Sequence, residues 1–265
     1  MKKLYTTAFA LFFTLFAFAQ PGVIDSTFGT NGIVTTVLGT VGTNVCRNVF
    51  ALQNGDILAS GYFNNGTATV AGITRYHEDG TRDTTFGTSG VCAISVPGAA
   101  ATFTYNAVMQ PDGKLLIGGD YYDGSSYQFM VARMHPNGTL DGTFGNAGIA
   151  TLGVSGSGSP DNTGNAIALK ADGKVVLAGT SYMVTDNDFT VVRFDSTGQV
   201  DNTFGTGGYV STPIGTGNDN CYSVCVDHNG KILAGGDIQD GGNYIFTAVR
   251  YNQDGTPDNS FGING

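Results

Sequence analysis

One pattern recurs five times along the chain. Asp141-Gly142-Thr143-Phe144-Gly145 is matched by Asp83-Thr84-Thr85-Phe86-Gly87, Asp201-Asn202-Thr203-Phe204-Gly205, Asp258-Asn259-Ser260-Phe261-Gly262 and Asp25-Ser26-Thr27-Phe28-Gly29. The Asp positions step by 58, 58, 60 and 57. In four copies an Arg stands eight residues before the Asp: Arg75, Arg133, Arg193 and Arg250. Asp25 has no such Arg. A period this long and regular restricts the fold to stacked supersecondary units, and it governs every local reading that follows.

A second block shares the period. It reads Asn54-Gly55-Asp56-Ile57-Leu58-Ala59, then Asp112-Gly113-Lys114-Leu115-Leu116-Ile117, Asp172-Gly173-Lys174-Val175-Val176-Leu177 and Asn229-Gly230-Lys231-Ile232-Leu233-Ala234. Asn-Gly or Asp-Gly between apolar runs signals a hairpin, because Gly takes the positive φ of the turn. Each repeat thus begins with a hairpin, such as 106–110 with 114–119. A third strand ends at the Arg (Phe129 to Arg133, Phe189 to Arg193, Phe246 to Arg250, and a weaker Ala71 to Arg75). It is apolar on both faces, so both should be covered. A fourth strand follows the Phe-Gly turn: 32–37, 90–96, 148–152 and 208–212.

Four short antiparallel strands in about 58 residues make one blade of a β-propeller. The expected fold is therefore all-β: a β-propeller of four-stranded antiparallel blades, with four repeats. A β-helix would need shorter coils and a hexapeptide rhythm, which is absent. The fourth strand at 32–37 precedes all the others, and the last repeat stops short of one. Two readings follow. The N-terminal strand closes the ring by completing the last blade, or the chain is a piece of a larger propeller.

Residues 1–19 stand apart. Lys2 and Lys3 precede an apolar run through Phe18, and Ala17-Phe18-Ala19 offers small residues for a signal peptidase. The expectation is a signal peptide at 1–19, cleaved before Gln20, and a repeat domain at 20–265. The run is short for a membrane span, which takes about 20 apolar residues, so no membrane insertion of the mature chain is expected. Removing it leaves 10 of the 12 basic residues against 21 acids, a net charge of −11. That argues against nucleic acid or an anionic membrane as partner.

The repeated residues read as fastening. Each Arg shares a strand face with apolar residues, and a buried guanidinium needs a partner. The Asp eight residues on suits its bidentate fork. The pairs are Arg75 with Asp83, Arg133 with Asp141, Arg193 with Asp201 and Arg250 with Asp258. A group present once per blade is poorly suited to be an active site. The turn carries too few acids for calcium, which takes six to eight oxygens. Lys114, Lys174 and Lys231 are expected to be solvated. The three His (77, 135, 228) and the one Glu (Glu78) show no metal-ligand spacing. No metal and no cofactor is expected, and no nucleophile elbow or phosphate loop is present. Cys46 and Cys221 share a repeat position in the first and last blades. A disulfide there is one option for the four cysteines, whose pairing spacing alone leaves undecided.

What does not repeat is the better guide to binding. Strand direction places the hairpin turns and Phe-Gly turns on one regular face, and the variable loops on the other. Variable loops on a rigid scaffold commonly carry binding. They offer Tyr121, Tyr122, Asp123, Tyr127, Tyr182, Asp186, Asp188, Asp240 and Tyr244. Tyr with Asp suits a glycan or a peptide of a surface protein.

The blocks Asp-Gly-Lys-Ile-Leu-Ala-Gly, Phe-Thr-Val-Val-Arg-Phe and Asp-x-Thr-Phe-Gly-x-x-Gly resemble, over essentially the whole mature chain, the delta-60 repeat of secreted bacterial proteins. The resemblance implies a propeller of unknown function, with no catalytic residues to carry over. It also implies export, often from Bacteroidetes-type bacteria, and a secreted, cell-surface or periplasmic location. The hairpin-then-strand order is similar to that of NHL propellers, which implies that the first strand of each blade lies nearest the axis. The functional expectation is a non-enzymatic binding, adhesion or scaffold module. The alternative is a secreted polysaccharide hydrolase or lyase that uses loop Asp residues. Oligomeric state is open.

Overall fold

The computed structural model describes residues 22–39, 42–154, 162–183, 185–263 and 265. The segment read as a signal peptide lies outside them. Among the described residues there are fifteen β-strands and no helix. They group by repeat. Blade 1 is β1 (Asn44–Ala51), β2 (Ile57–Asn64), β3 (Thr69–Tyr76) and β4 (Val91–Ile94). Blade 2 is β5 (Ala101–Met109), β6 (Leu115–Tyr122), β7 (Tyr127–Met134) and β8 (Ile149–Leu152). Blade 3 is β9 (Asn162–Leu169), β10 (Val175–Tyr182), β11 (Asn187–Phe194) and β12 (Tyr209–Thr212). Blade 4 holds β13 (Asp219–Val226), β14 (Ile232–Asp240) and β15 (Asn243–Tyr251).

Within each blade consecutive strands pair antiparallel, and blades 1 and 2 are linked by one parallel bridge, Thr69 to Ala101. The first two strands of each blade form the hairpin. In blade 2, Gly113 N donates to Gln110 O at 2.9 Å, and Gly113 has φ 81°. A side chain there would be strained, which is why the motif keeps Gly. The first strands of successive blades contact one another and so lie innermost. The four-residue fourth strands lie outermost.

Burial follows the stacking. One core joins blades 1 and 2 through Ile73, Phe86, Leu115 and Ile117. A second joins blades 2 and 3 through Leu116, Phe129, Ile167 and Leu177. A third joins blades 3 and 4 through Val176, Phe189, Phe204 and Ala234. The third strands β7 and β11 are buried on both faces, as sheets stacked between sheets require.

The N-terminal segment departs from the sequence expectation. Residues 34–38 pair with no strand, and Thr30 and Ile33 form only an isolated bridge. This segment does not complete blade 4. It lies on blade 1 instead: Gly29 N donates to Asp79 O at 2.8 Å and the Tyr76 hydroxyl to Thr36 Oγ1 at 2.7 Å. No closed ring forms among the described residues. The cysteines also depart. All four are free, so the Cys46–Cys221 option is not realised; Cys46 and Cys225 are exposed, and Cys92 and Cys221 are buried.

Candidate functional site

The regular face is built from the repeated residues. Arg133 Nε donates to Asp141 Oδ2 at 2.8 Å, and the corresponding distances are 2.8 Å for Arg75–Asp83, 2.7 Å for Arg193–Asp201 and 2.6 Å for Arg250–Asp258. The other carboxylate oxygen accepts the hydroxyl two residues on, as Thr143 shows at 2.6 Å. Each guanidinium lies 4.5–5.1 Å from the centroid of the Phe in the same turn. In three blades it also reaches the next: Arg75 to Pro136 O, Arg133 to Ser196 O and Arg193 to Gln253 O. The lysines are a correction. Lys114, Lys174 and Lys231 are not simply solvated; their Nζ atoms lie 3.0, 2.8 and 2.6 Å from Asp141, Asp201 and Asp258. One aliphatic stem reaches along the hairpin, so one buried carboxylate meets two cations.

On the variable face, most loop acids are occupied locally. Asp123 accepts the backbone amides and hydroxyls of Ser125 and Ser126, which hold its carboxyl down at about 2. Asp240 accepts the Thr216 hydroxyl at 3.1 Å. Asp188 is buried and its carboxyl is pushed up to about 6, by burial first and then by Asp186 and Asp219. The Tyr182 hydroxyl donates to Thr185 O at 3.1 Å. Tyr244 is exposed on blade 4, and Tyr121 is half-buried against the core of blades 1 and 2.

Two of the sequence-derived tyrosines do come together. The rings of Tyr122 and Tyr127 are 5.0 Å apart, and Tyr127 is 6.2 Å from Phe103. Phe103 stands edge-on to Tyr62 of blade 1 at 5.0 Å, and Tyr62 is 6.3 Å from Tyr105. Arg47 closes the series. Its guanidinium lies 5.5 Å from the ring centroids of both Tyr62 and Tyr105, and its Nη2 donates to the Tyr62 hydroxyl at 3.0 Å. Five half-buried rings and one exposed cation thus form a strip at the inner rim, running from blade 1 to blade 2 toward the variable face.

The backbone explains how Arg47 and Tyr105 reach that rim. Each innermost strand carries a β-bulge at the same repeat position. The extra residues are Arg47, Tyr105, Asn165 and Tyr222. A bulge re-aims a side chain and is common beside functional sites. Facing each bulge is a glycine: Gly61, Gly119, Gly179 or Gly236. A Cβ on these would lie 1.7–2.0 Å from a carbonyl oxygen of the first strand. Only two of the four bulge residues, Tyr105 and Tyr222, share a type, so the position does not stand out as a repeat in the sequence. The mid-strand glycines were the available signal.

Beneath the strip lies Asp120, fully buried on β6. Its Oδ2 accepts Gly164 N of blade 3 at 3.3 Å, and its Oδ1 has no hydrogen-bond partner among the described residues. Burial pushes its carboxyl up to about 7. Burial, and then the nearby Asp120, push the Tyr105 phenol up as well. Thr180 is the blade 3 counterpart of Asp120 and accepts Cys221 N at 3.2 Å, so the position latches one blade to the next.

Four segments, residues 52–86, 110–144, 170–204 and 229–261, match the family described as a domain of unknown function (DUF5122) beta-propeller. The chain belongs to the DUF5122 β-propeller family. No curated protein matches it. Among solved structures, this DUF5122 propeller is similar to an endo-arabinase from Bacteroides thetaiotaomicron, at 17% identity over 78% of this chain and 75% of that one, TM-score 0.44. It is also similar to a protein of unknown function from Dyadobacter fermentans, at 14% identity over 76% of this chain and 51% of that one, TM-score 0.49. A putative glycoside hydrolase from Bacteroides ovatus matches at 10% identity over 77% and 67%, TM-score 0.41. The chain spans about half the length of the Dyadobacter protein.

Chemically, the rim of this DUF5122 propeller offers flat aromatic faces, phenol hydroxyls and one unscreened guanidinium. Among the described residues, no group of three or more His, Cys, Asp or Glu is placed to hold a metal. No helix there is long and apolar enough to cross a membrane.

Proposed function

We propose that this protein is a binding module, not a catalyst, and that it holds a glycan on the rim strip of Arg47, Tyr62, Phe103, Tyr105, Tyr122 and Tyr127. One observation carries the reading. Five aromatic rings stand in a continuous half-buried series with a guanidinium at one end. A sugar ring presents C–H groups to an aromatic face and hydroxyls to its edge. Tyrosine supplies both an apolar body and a polar tip at low conformational cost. Arg47 adds a two-pronged donor for a hydroxyl pair or a uronate carboxylate.

The hydrolase or lyase reading has less behind it. Glycoside hydrolysis needs two carboxyls about 5–10 Å apart across the scissile bond. Asp123 and Asp240 are engaged by neighbouring hydroxyls or amides, Asp120 is buried beneath the rim, and Asp188, though beside Asp186 and Asp219, is itself buried and accepts the Ser211 hydroxyl.

The proposal includes export. Residues 1–19 would act as a signal peptide, which delivers the propeller to the periplasm, the cell surface or the medium. N-terminal sequencing of protein from the native host tests this; a start at Gln20 is expected, and a retained Met1 would contradict it. For binding, the mature chain is applied to a glycan array and, in parallel, to chromogenic glycosides. Retention without turnover is expected. Turnover would move the assignment to the enzyme reading.

A further inference from the structure

Each interior blade covers its predecessor with one face and is covered by its successor on the other. The two end faces are left bare. On blade 4 the bare face is the one that Phe129 and Phe189 occupy in blades 2 and 3. Those rings are 0% exposed, whereas their counterpart Phe246 is 91% exposed, beside Cys225, Leu233 and Tyr244. On blade 1 the bare face is the opposite one. Ala107 and Ile167, which take that position in blades 2 and 3, are 5% and 6% exposed, whereas Val49 is 64% exposed, beside Cys46 and Ala59. The two bare faces are therefore the two halves of one junction, which this molecule already builds three times.

The outer edges match in the same way. β4, β8 and β12 pair with the third strand of their blades, with Val91 opposite Thr74, Ile149 opposite Ala132 and Tyr209 opposite Val192. Among the described residues β15 has no such partner. Residues 33–37 have the fourth-strand sequence and no third strand. They sit on blade 1 as the end of a preceding blade would. Gly29 N donates to Asp79 O as Gly87 N does to Asn137 O, Gly145 N to Thr197 O and Gly205 N to Asp254 O. The Tyr76 hydroxyl meets Thr36 as the Tyr251 hydroxyl meets Thr212.

We infer that two copies of this chain join head to tail, the bare face of blade 4 in one seating on the bare face of blade 1 in the other. The two contacts of such a pair are equivalent, and two copies of residues 22–265 bring eight blades together, within the usual range of about four to eight. A second copy fits better than self-closure. With three native junctions in place, blades 1 and 4 share neither a strand pairing nor a core. Closing one chain on itself would have to bring together two end blades that the three junctions leave unjoined, whereas a second copy presents the matching face and edge to each. Residues 33–36 of one copy then lie along β15 of the other, with Ile33 opposite Val249. Residues 259–263 must swing aside at that corner, because Gly29 already fills their seat on Asp79.

Sedimentation velocity on residues 20–265, with alkylation rates of Cys46 and Cys225, tests the inference. The expected result is the mass of two chains and slow alkylation of both thiols. Phe246→Asp should give the mass of one chain and fast alkylation, with circular dichroism unchanged. Deleting residues 259–265, which removes the competing turn, should strengthen association. One-chain mass with slow alkylation would mean a self-closed ring and would overturn the proposal. So would one-chain mass with fast alkylation at every concentration, or weaker association of the deletion variant.

Discussion

Lys114 Nζ lies 3.0 Å from Asp141 Oδ2, the same oxygen that Arg133 Nε holds at 2.8 Å. Two cations on one buried carboxylate make the fastening redundant. Arg133→Ala is expected to cost about 2–3 kcal/mol, below the usual range for breaking a buried pair, because Lys114 still neutralises Asp141. Lys114→Met alone should cost less than about 1 kcal/mol, since its side chain is partly exposed. Together they should cost more than the sum, because Asp141 is then stranded. Urea midpoints of the four proteins check this. Additive losses would mean that the two cations do not share the load.

Gly119 makes a different demand. A Cβ there would lie 2.0 Å from Phe103 O, a backbone atom that cannot turn aside. Gly119→Ala should cost about 2–3 kcal/mol by forcing β5 and β6 apart. It should also loosen Tyr105, which the bulge holds. Gly142→Ala is the control, because nothing lies within 4 Å of its Cβ position. Its urea midpoint should match that of wild type, and a loss equal to that of Gly119→Ala would discredit the steric argument.

Asp120 makes stability fall as pH rises. Its folded pKa is raised to about 7, so its contribution is fullest below the ordinary carboxyl value near 4 and is lost as pH climbs through about 7. Asp120→Thr copies the latch that Thr180 makes in blade 3 and carries no charge. Relative to wild type, the variant should gain up to about 3 kcal/mol between about pH 5 and pH 8. Thermal melts at the two pH values measure it. A gain independent of pH would show that Asp120 does not titrate there.

The fastening carboxyls have the opposite sign. Hydrogen bonds from Thr85 and Arg75 hold Asp83 well below the usual range. For Asp141, burial opposes ionisation, but Thr143, Lys114 and Arg133 outweigh it and hold it low as well. These depressed values stabilise the fold above about pH 4, and that stability is lost as pH falls through the folded values. Urea midpoints should therefore be highest near about pH 4 to 5, with the raised carboxyls of Asp120 and Asp188 responsible for the fall above and the fastening carboxyls for the fall below. A flat profile down to about pH 2 would contradict this.

The blade plan was readable because its determinants repeat. The Gly of each hairpin turn and the Phe of each Phe-Gly turn recur at one spacing, and a repeating constraint stands out against loops that drift. The rim was not readable for the converse reason. Arg47, Tyr105, Asn165 and Tyr222 share a position but only two of them a chemistry, and the extra residue breaks the alternation that marks a strand face. Tyr122 and Tyr127 were found because loops were searched. Phe103 closed a variable loop in the sequence reading, and Tyr62 and Asp120 fell between a hairpin strand and a loop, whereas the strands extend over all three. Segment 32–37 had the sequence of a fourth strand, but strand pairing depends on a third strand beside it, and none is there.

The central claim is that the rim strip binds a glycan. The most direct test is titration of wild type, Arg47→Ala and Tyr105→Ala with the glycan that scores highest on the array, followed by calorimetry, with thermal melts as the folding control. Arg47 is exposed and Tyr105 half-buried, so both variants should remain folded. Each is expected to weaken binding at least tenfold, about 1.4 kcal/mol, with the melting temperature of Arg47→Ala unchanged. Binding of undiminished strength in both variants would place the ligand elsewhere and contradict the assignment.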